Sequence, residues 1–206
     1  EERILKVLGN DITISYSCEL KFDGASINLT YKEGELVKAL TRGDGLKGDE
    51  ITENIKTIKT IPLRLKGEYP KFFEVRGEII LPIKDFNKMN MQRAELGEAL
   101  YSNPRNTASG SLKLQDSSQV ARRPLKCFIY SVVGDELNLY DQSEVLKKAR
   151  EWGFKVPNSA KLVDSIDKVF DFVKYWDSER GKLDYEIDGV VIKVNSLNYQ
   201  DKLGYT

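Results

Sequence analysis

The amino-acid sequence predicts an α+β fold with mainly antiparallel sheets and flanking helices. Several segments alternate apolar and polar residues with the two-residue period of a strand, and segments with helical spacing lie between them. The first strands follow one another through short turns that contain glycine, as antiparallel neighbours do. With 206 residues, 40% of them apolar and 31% charged, the chain can bury the core of one large domain or of two small ones.

The first third of the chain carries the clearest strand pattern. A short helix is expected over residues 1–8, and residues 12–20 alternate so that Glu19 and Lys21 share the polar face. After Asp23-Gly24 the apolar phase shifts by one residue, which predicts a loop or bulge at residues 22–24. We therefore expect Glu19 and Lys21 to reach the strand end pointing away from the core. A hairpin turn at residues 32–35 leads into a further strand over 36–40.

The rest of the chain alternates strands and helices. Isoleucines at positions 51, 55 and 58 share one face of a predicted helix, and Trp152 and Trp176 are predicted core residues. The segment 103–113 is small and polar, as is typical of a loop that opens onto a helix or turn. Further strands are predicted over 72–81, 125–133 and 186–195, and further helices over 83–96, 143–152 and 166–176.

Composition excludes several classes of site. The chain has no histidine, so catalytic triads, general bases and metal sites that depend on histidine are excluded within it. Lys plus Arg and Asp plus Glu both number 32, so no overall positive charge favours nucleic acid, and a local patch would have to bind it. Cys18 and Cys127 stand singly in apolar runs, which predicts buried reduced thiols. No segment has the length of a membrane span.

Lys21 is the candidate for chemistry, and two interpretations of it stand side by side. A lysine at a strand end is ordinarily solvated and inert. A nucleophilic lysine must be neutral near pH 7, which burial and a neighbouring cation favour, and Lys193 near the end of the last strand is such a cation. Val191 and Lys193 share one face of that strand, whereas Asp188 points the other way unless Gly189 marks a bulge.

Other polar residues add a possible ligand site without defining it. Arg42 and Glu78 can each be explained by exposed ion pairs, and Gly43-Asp44-Gly45 lacks the context of a dinucleotide-binding or P-loop motif. The residues alone therefore predict an α+β domain with a polar cluster on several strand faces. The cluster is a candidate ligand site, with an amine nucleophile as one option.

Five motifs in order resemble one protein family. Lys21-Phe22-Asp23-Gly24 resembles the Lys-x-Asp-Gly motif of covalent nucleotidyltransferases, which include DNA and RNA ligases and mRNA capping enzymes. Together with the later motifs, it is similar to the adenylation domain of bacterial NAD⁺-dependent DNA ligases over nearly the whole chain. These later motifs are Thr41-Arg42-Gly43-Asp44-Gly45, Glu74-Val75-Arg76-Gly77-Glu78, Asn103-Pro104-Arg105-Asn106 with Gly110-Ser111-Leu112, and residues 186–195.

The resemblance implies both a fold and a reaction. The fold would be that of the covalent nucleotidyltransferases. Lys21 would attack the α-phosphorus of NAD⁺ and expel nicotinamide mononucleotide, which leaves a lysyl–AMP. The AMP would then pass to the 5′-phosphate of a nick in duplex DNA, and the 3′-hydroxyl would displace it. NAD⁺ as the AMP donor and Mg²⁺ or Mn²⁺ are the implied cofactors, and zinc is implied only in a domain outside this chain.

The resemblance also implies a role for each candidate residue. Lys21, Lys193 and Asp23 would be catalytic, with Lys193 also binding phosphate. Glu19 would recognise the adenine amino group, and Asp188 would aid a metal ion or orient Lys21. The remaining nucleotide contacts would be Arg42, Glu78, Tyr130 and Val191, with Tyr130 and Val191 on opposite faces of adenine, and the DNA or phosphate contacts would be Arg105 and Lys113.

The expected organisation is a single adenylation domain over residues 1–206, cut short on its C-terminal side. The domain that grips nicotinamide mononucleotide and the downstream DNA-binding domains are expected to be absent from this chain. It should then bind adenosine nucleotides as a cytoplasmic monomer, react poorly with NAD⁺ and fail to seal nicks. Two alternatives stay open: an ATP-dependent ligase or capping-type enzyme of the same fold, and a non-catalytic nucleotide-binding or scaffolding domain.

Overall fold

Two antiparallel sheets with helices around them form the fold, as the sequence predicts. The computed structural model describes residues 1–9, 11–43 and 48–204. Asp44 and Gly45 of the glycine-containing motif, and Tyr205-Thr206, lie outside the described residues. No helix within the described ranges combines the length and the apolar character that crossing a membrane requires.

Seven strands make up the two sheets within the described residues. The three-stranded sheet has the order β6-β1-β7, and the four-stranded sheet has the order β3-β2-β4-β5. Every pairing in both sheets is antiparallel. The strands are β1 (Tyr16–Phe22), β2 (Ala25–Lys32), β3 (Glu35–Thr41), β4 (Phe72–Ile80), β5 (Lys126–Val133), β6 (Lys161–Val163) and β7 (Ile187–Val194).

The helices lie mostly between the strands in sequence. Their bounds are α1 (Glu2–Leu8), α2 (Thr52–Ile55), α3 (Ile83–Glu95), α4 (Pro104–Leu112), α5 (Ser117–Ala121), α6 (Gln142–Trp152), α7 (Ile166–Glu179) and α8 (Leu197–Leu203). The polar segment 103–113 contains a nine-residue helix, Pro104–Leu112, and the side chain of its N-cap residue Asn103 accepts a hydrogen bond from the Asn106 backbone at 2.7 Å. The helix predicted from the isoleucine spacing is only one turn long and includes Ile55 alone of the three, although Ile51, Ile55 and Ile58 are all buried.

The phase shift after Asp23-Gly24 marks the point where the chain changes sheets. Strand β1 belongs to the three-stranded sheet and β2 to the four-stranded sheet, so the predicted loop at residues 22–24 links the two. Gly24 is buried there, and a Cβ on it would collide with the backbone oxygen of Ile79. Only glycine fits this close approach between the link and β4.

A second irregularity lies in β7 and reorients Asp188. Lys21 pairs with Gly189, whereas the next residue of β1, Phe22, pairs with Ile187, so Asp188 is the extra residue of a bulge. Gly189 has φ 153°, a value that favours glycine. Plain alternation would have turned Asp188 away from Lys21. The bulge allows the two side chains to meet.

Each sheet has its own hydrophobic core. The larger core lies on the four-stranded sheet and includes Trp152, and the smaller one lies on the three-stranded sheet with α7. Trp152 is buried as predicted, whereas Trp176 packs against the smaller core and is only partly buried, so the prediction of a core position is confirmed in part for Trp176. Cys18 and Cys127 are buried free thiols, as predicted.

The polar face of β1 is not open to solvent over its whole length, contrary to expectation. Ser17 and Glu19 are both buried, and exposure begins only at Lys21. The strand itself begins at Tyr16, four residues later than its apolar alternation suggested. Its polar face turns toward the four-stranded sheet, so this face becomes one wall of an internal cleft.

Candidate functional site

A cleft of about 670 Å³ lies between the two sheets and gathers almost all of the predicted site residues. Strands β1 and β7 contribute side chains from one sheet, and β2 to β5 contribute from the other, with α4 along the edge. The predicted residues that line it are Glu19, Lys21, Arg42, Glu78, Arg105, Lys113, Tyr130, Asp188, Val191 and Lys193. Asp23 is outside the lining set but contacts one of its members.

The inner end of the cleft contains a mostly buried ion pair and its hydrogen bonds. We define it by Glu19, Lys193 and the backbone carbonyl of Tyr130. The Lys193 amine donates to Glu19 Oε2 and to the Tyr130 carbonyl, both at 3.0 Å. Glu19 Oε1 accepts from the hydroxyl of Ser17 at 3.0 Å. Only 7% of the Glu19 side chain and 22% of the Lys193 side chain are exposed.

Gln142, which sequence reasoning missed, completes the inner end. Its side-chain amide donates to Glu19 Oε1 at 2.9 Å and to the Tyr130 carbonyl at 3.0 Å. Asn195 holds the start of α6 against the end of β7, since its backbone carbonyl accepts from Gln142 N at 2.7 Å and its Oδ1 from Ser143 N at 3.0 Å. No local sequence signal points from the first residue of a helix to a carboxylate 123 residues away.

Tyr130 and Val191 come from different sheets and both line the cleft. Val191 pairs with Glu19 across the β1–β7 ladder, and the Tyr130 hydroxyl lies 2.9 Å from the hydroxyl of Ser26 in β2. Burial is the main cause that raises the pKa of the Tyr130 phenol above its usual value. The half-buried ring therefore stays neutral and offers an apolar face to the cleft.

The outer end of the cleft, defined by Lys21, Asp188, Asp23 and Arg105, contains exposed ion pairs. Lys21 Nζ lies 2.5 Å from Asp188 Oδ2, with 55% and 38% of the two side chains exposed. The two lysines have different partners, since the Lys193 amine bonds to Glu19 and to the Tyr130 carbonyl whereas Lys21 pairs with Asp188. Lys193 pairs with Ser17, four positions along β1 from Lys21, which is about 14 Å at the usual strand rise.

Helix α4 and the residue that follows it supply cations along the edge of the cleft. Arg105 donates to Asp23 Oδ1 at 2.8 Å, and Lys113 Nζ lies 2.8 Å from Asp49 Oδ2. Both cationic side chains are more than half exposed. Arg42 is also exposed on the lining, just after the end of β3, and its backbone N–H donates to the Ser26 carbonyl at 3.2 Å.

Glu78 projects from β4 into the cleft. Burial raises the pKa of its carboxyl to about 7, opposed by the Arg105 charge and reinforced by the charges of Asp23 and Asp188. The backbone N–H of Gly24 bonds to it and favours the ionised form. The residues that the structure describes contain no group of three or more acids and cysteines arranged to hold a metal ion.

Comparison with known proteins identifies the family. The model of the NAD-dependent DNA ligase adenylation domain matches residues 1–206. The chain belongs to this family. The match confirms the resemblance in the five motifs and favours the NAD-dependent type over the ATP-dependent alternative.

Similar proteins include several bacterial DNA ligases. Over 206 residues, the chain is 64% identical to a DNA ligase of Flavobacterium johnsoniae and 59% identical to one of Flavobacterium psychrophilum. A DNA ligase of Cytophaga hutchinsonii is 46% identical over 207 residues. In each case the match covers 100% of this chain and 31% of the relative. This adenylation domain thus spans about a third of the length of the curated relatives it matches.

Solved structures show the same fold at low sequence identity. A structure named Pmar-Lig_Pre. matches with a TM-score of 0.52 at 15% identity, covering 92% of this chain and 40% of that one. One named Pmar-Lig_PreS3 matches with a TM-score of 0.51 at 15% identity over the same shares. The predicted nucleotidyltransferase fold of this adenylation domain is therefore confirmed.

Proposed function

We propose that this domain accepts an adenylyl group from NAD⁺ on Lys21 Nζ and that a longer ligase uses the adenylate to seal nicks in duplex DNA. The observation that carries the proposal is the cleft itself. A strand-end lysine lies at its outer end, and a buried pair of hydrogen-bonding groups suited to adenine lies at its inner end. Glu19 and Lys21 lie on the same strand face, about 7 Å apart along β1.

The inner end has the donor and acceptor pattern that adenine requires. A carboxylate has about four lone-pair directions and an ammonium has three donors. Within the described part of the chain, one lone pair of Glu19 Oε2 and one N–H of Lys193 remain for a ligand. Adenine presents an amino donor beside a ring-nitrogen acceptor, whereas hypoxanthine and guanine present the opposite pair. We therefore propose that Lys193 recognises the base together with Glu19, in addition to any contact with phosphate.

The ring of adenine would then lie between Tyr130 and Val191. An aromatic face on one side and an aliphatic side chain on the other suit a planar base. Glu78 would accept hydrogen bonds from ribose hydroxyls, and Arg42 would help position the nucleotide.

Adenylyl transfer at the outer end would form one bond and break one. The neutral Lys21 amine attacks the α-phosphorus, the bond to the bridging oxygen breaks, and nicotinamide mononucleotide leaves with that oxygen. The amine has to lose a proton, and Asp188 is the carboxylate in contact with it. Asp23, held by Arg105, is proposed to assist this step. Such transfers are accelerated chiefly by positioning and charge stabilisation.

A magnesium or manganese ion suits this chemistry because Mg²⁺ commonly binds one or two carboxylates together with substrate phosphates. Asp188 is the proposed protein ligand. Arg105 and Lys113, more than half exposed at the edge of the cleft, are proposed to contact DNA phosphates.

The chain matches only part of the length of its relatives, and this bears on which steps it could perform alone. Because it spans 31% of their length, we propose that reaction with NAD⁺ at full rate and nick sealing require further parts of a longer, monomeric, cytoplasmic ligase. The 206-residue chain alone would bind adenosine nucleotides and form little lysyl–AMP.

The decisive experiment measures covalent adenylation by intact mass. A longer ligase that carries this domain is incubated with NAD⁺ or with ATP, and the proposal expects the added mass of one adenylyl group only with NAD⁺. Lys21→Ala should abolish the product, a loss of at least about a thousand-fold, since a missing nucleophile leaves no covalent step. The exposed lysine of another ion pair, Lys182, provides a matched control, and Lys182→Ala should adenylate normally.

Folding has to be separated from chemistry in that comparison. The Lys21→Ala protein should melt near the wild-type temperature because its ion pair is exposed. Adenylation that survives in a folded Lys21→Ala protein contradicts the assignment of the nucleophile. Adenylation of the wild type by ATP alone contradicts the proposed donor.

A further inference from the structure

We infer that Gln142 is a positioning residue that determines how selectively the cleft recognises adenine, an inference that rests on the proposed function. Gln142 is buried and lies outside the lining of the cleft, so it acts on a ligand only through other groups. Its two partners are the Glu19 carboxylate and the Tyr130 carbonyl, which belong to different sheets. One amide therefore holds Glu19, which is proposed to recognise adenine, in a fixed position relative to the backbone of Tyr130, which is proposed to stack on it.

The orientation of the Gln142 amide follows from its partners. Both Glu19 Oε1 and the Tyr130 carbonyl are acceptors, so the NH₂ group has to face them. Each of its two hydrogens then has one acceptor. The reversed orientation would place three oxygens together without a proton between them.

The effect on selectivity comes from how the Glu19 oxygens are occupied. Ser17 and Gln142 together fill the two lone pairs of Oε1, and Lys193 takes one of Oε2. Among the described residues this leaves one acceptor direction, beside the remaining N–H of Lys193. A carboxylate held in this way suits the amino group of adenine and disfavours the carbonyl of hypoxanthine. Without Gln142 the carboxylate can rotate and offer lone pairs of either oxygen.

The position of Gln142 itself is held by the fold. Its backbone N–H bonds to the Asn195 carbonyl at 2.7 Å, and Asn195 N donates to the Ser15 carbonyl at 2.8 Å. These bonds tie the first turn of α6 to β7 and to the segment that leads into β1. Helix α6 also packs against β5. The amide is thereby placed at the junction of both sheets, with little freedom to move.

The test compares binding of AMP and IMP to the 206-residue chain by calorimetry. The wild type should prefer AMP by roughly 10- to 100-fold, as expected for a two-point contact with a base edge. Gln142→Leu should lower this preference by about ten-fold, the factor that one hydrogen bond to a charged group contributes. Each former partner of the amide keeps another donor, Ser17 or Lys193, so the variant should fold.

A matched glutamine controls for a purely structural role. Gln200 donates its amide to the Val194 carbonyl at 2.7 Å, outside the cleft lining. Gln200→Leu should leave the AMP to IMP preference unchanged, even if it lowers the melting temperature. If Gln142→Leu proves unfolded, Ser17→Ala removes the other donor to Glu19 Oε1 and should lower the same preference.

The outcomes separate this inference from the proposed function. A wild-type chain that binds AMP selectively, with folded Gln142→Leu and Ser17→Ala variants that keep the same preference, overturns the role of Gln142 alone. A wild-type chain that binds neither nucleotide overturns the proposed function and this inference with it.

Discussion

Each end of the cleft contains an ion pair between a lysine and a carboxylate, and the two pairs differ in burial. At the inner end, Glu19 and Lys193 are mostly buried and their hydrogen bonds reach both sheets. At the outer end, Lys21 and Asp188 form a close pair that is about half exposed. Both lysines come from neighbouring strands of one sheet and point to one cleft. The two ion pairs differ in how far their side chains are buried.

The contrast indicates which end is preorganised and which end can exchange partners. A buried pair is costly to break because the remaining charge has no water to solvate it. An exposed pair contributes little to stability, and salt screens it. The inner end therefore holds a fixed hydrogen-bonding pattern, which the proposed recognition of adenine requires. The outer pair can be broken at small cost, which the proposed transfer to Lys21 requires.

The largest effect on stability is expected when the inner pair is broken. Lys193→Met leaves the Glu19 charge buried without its cation and should lower the free energy of unfolding by about 3–5 kcal/mol. Urea denaturation of the 206-residue chain measures this. The double variant Glu19→Gln with Lys193→Met should recover part of the loss, because no unpaired charge remains. A double variant whose loss equals the sum of the single losses would show that the pair is not coupled.

An intermediate effect is expected at Glu78, and it depends on pH. The pKa of this carboxyl rises from 4.5 to about 7 in the folded chain. Between these values the folded state binds more protons than the unfolded state, so this group makes the free energy of unfolding fall as pH rises to about 7. Glu78→Gln should therefore stabilise the chain by roughly 1–3 kcal/mol at pH 8 and have little effect at pH 4.

The comparison for Glu78 is a series of urea denaturation curves between pH 4 and 8. The wild type and Glu78→Gln should converge at the acid end and separate progressively toward pH 8. Curves that stay parallel across the series would mean that burial does not penalise the ionised carboxylate.

The smallest effect is expected when the outer pair is broken. Asp188→Asn should change the free energy of unfolding by less than about 1 kcal/mol, because the pair is exposed. Any difference should shrink further at 1 M salt. The same urea measurements apply, with Lys193→Met as the reference at the inner end. An Asp188→Asn loss as large as that of Lys193→Met would remove the distinction between the two ends.

Local patterns predicted most elements of the fold. Local apolar patterns, alternating in β4 and nearly continuous in β5, located β4, β5 and β7 to within a residue or two, because these patterns depend only on the residues of the strand itself. The start of β1 was placed too early, since residues 12–15 alternate without pairing in a ladder. Strand β6 and helices α5 and α8 were not predicted. The three residues of β6 are too few to show an alternating pattern, and β6 is a strand because the tertiary structure pairs it with β1.

The candidate site was predicted mainly from motifs, and the errors concern which residues meet. The predicted residues other than Asp23 line one cleft, although their roles remain proposals. Lys193 was expected beside Lys21 but bonds to Glu19 instead, because antiparallel register places it opposite Ser17. The sequence pattern allows Asp188 to lie on either face of β7, and the bulge at Gly189 places it on the side of Lys21.

By itself, the sequence determined the α+β class, the five ordered motifs and a lysine at the end of a strand. These features depend on residues that are close together in the sequence, so local periodicity and motif spacing are enough to predict them. The tertiary structure alone decided that the polar face of β1 turns inward, that Lys193 pairs with Glu19, and that Gln142 reaches across 123 positions to the same carboxylate. Burial and long-range hydrogen bonds depend on how two sheets and a helix meet, which no local pattern specifies.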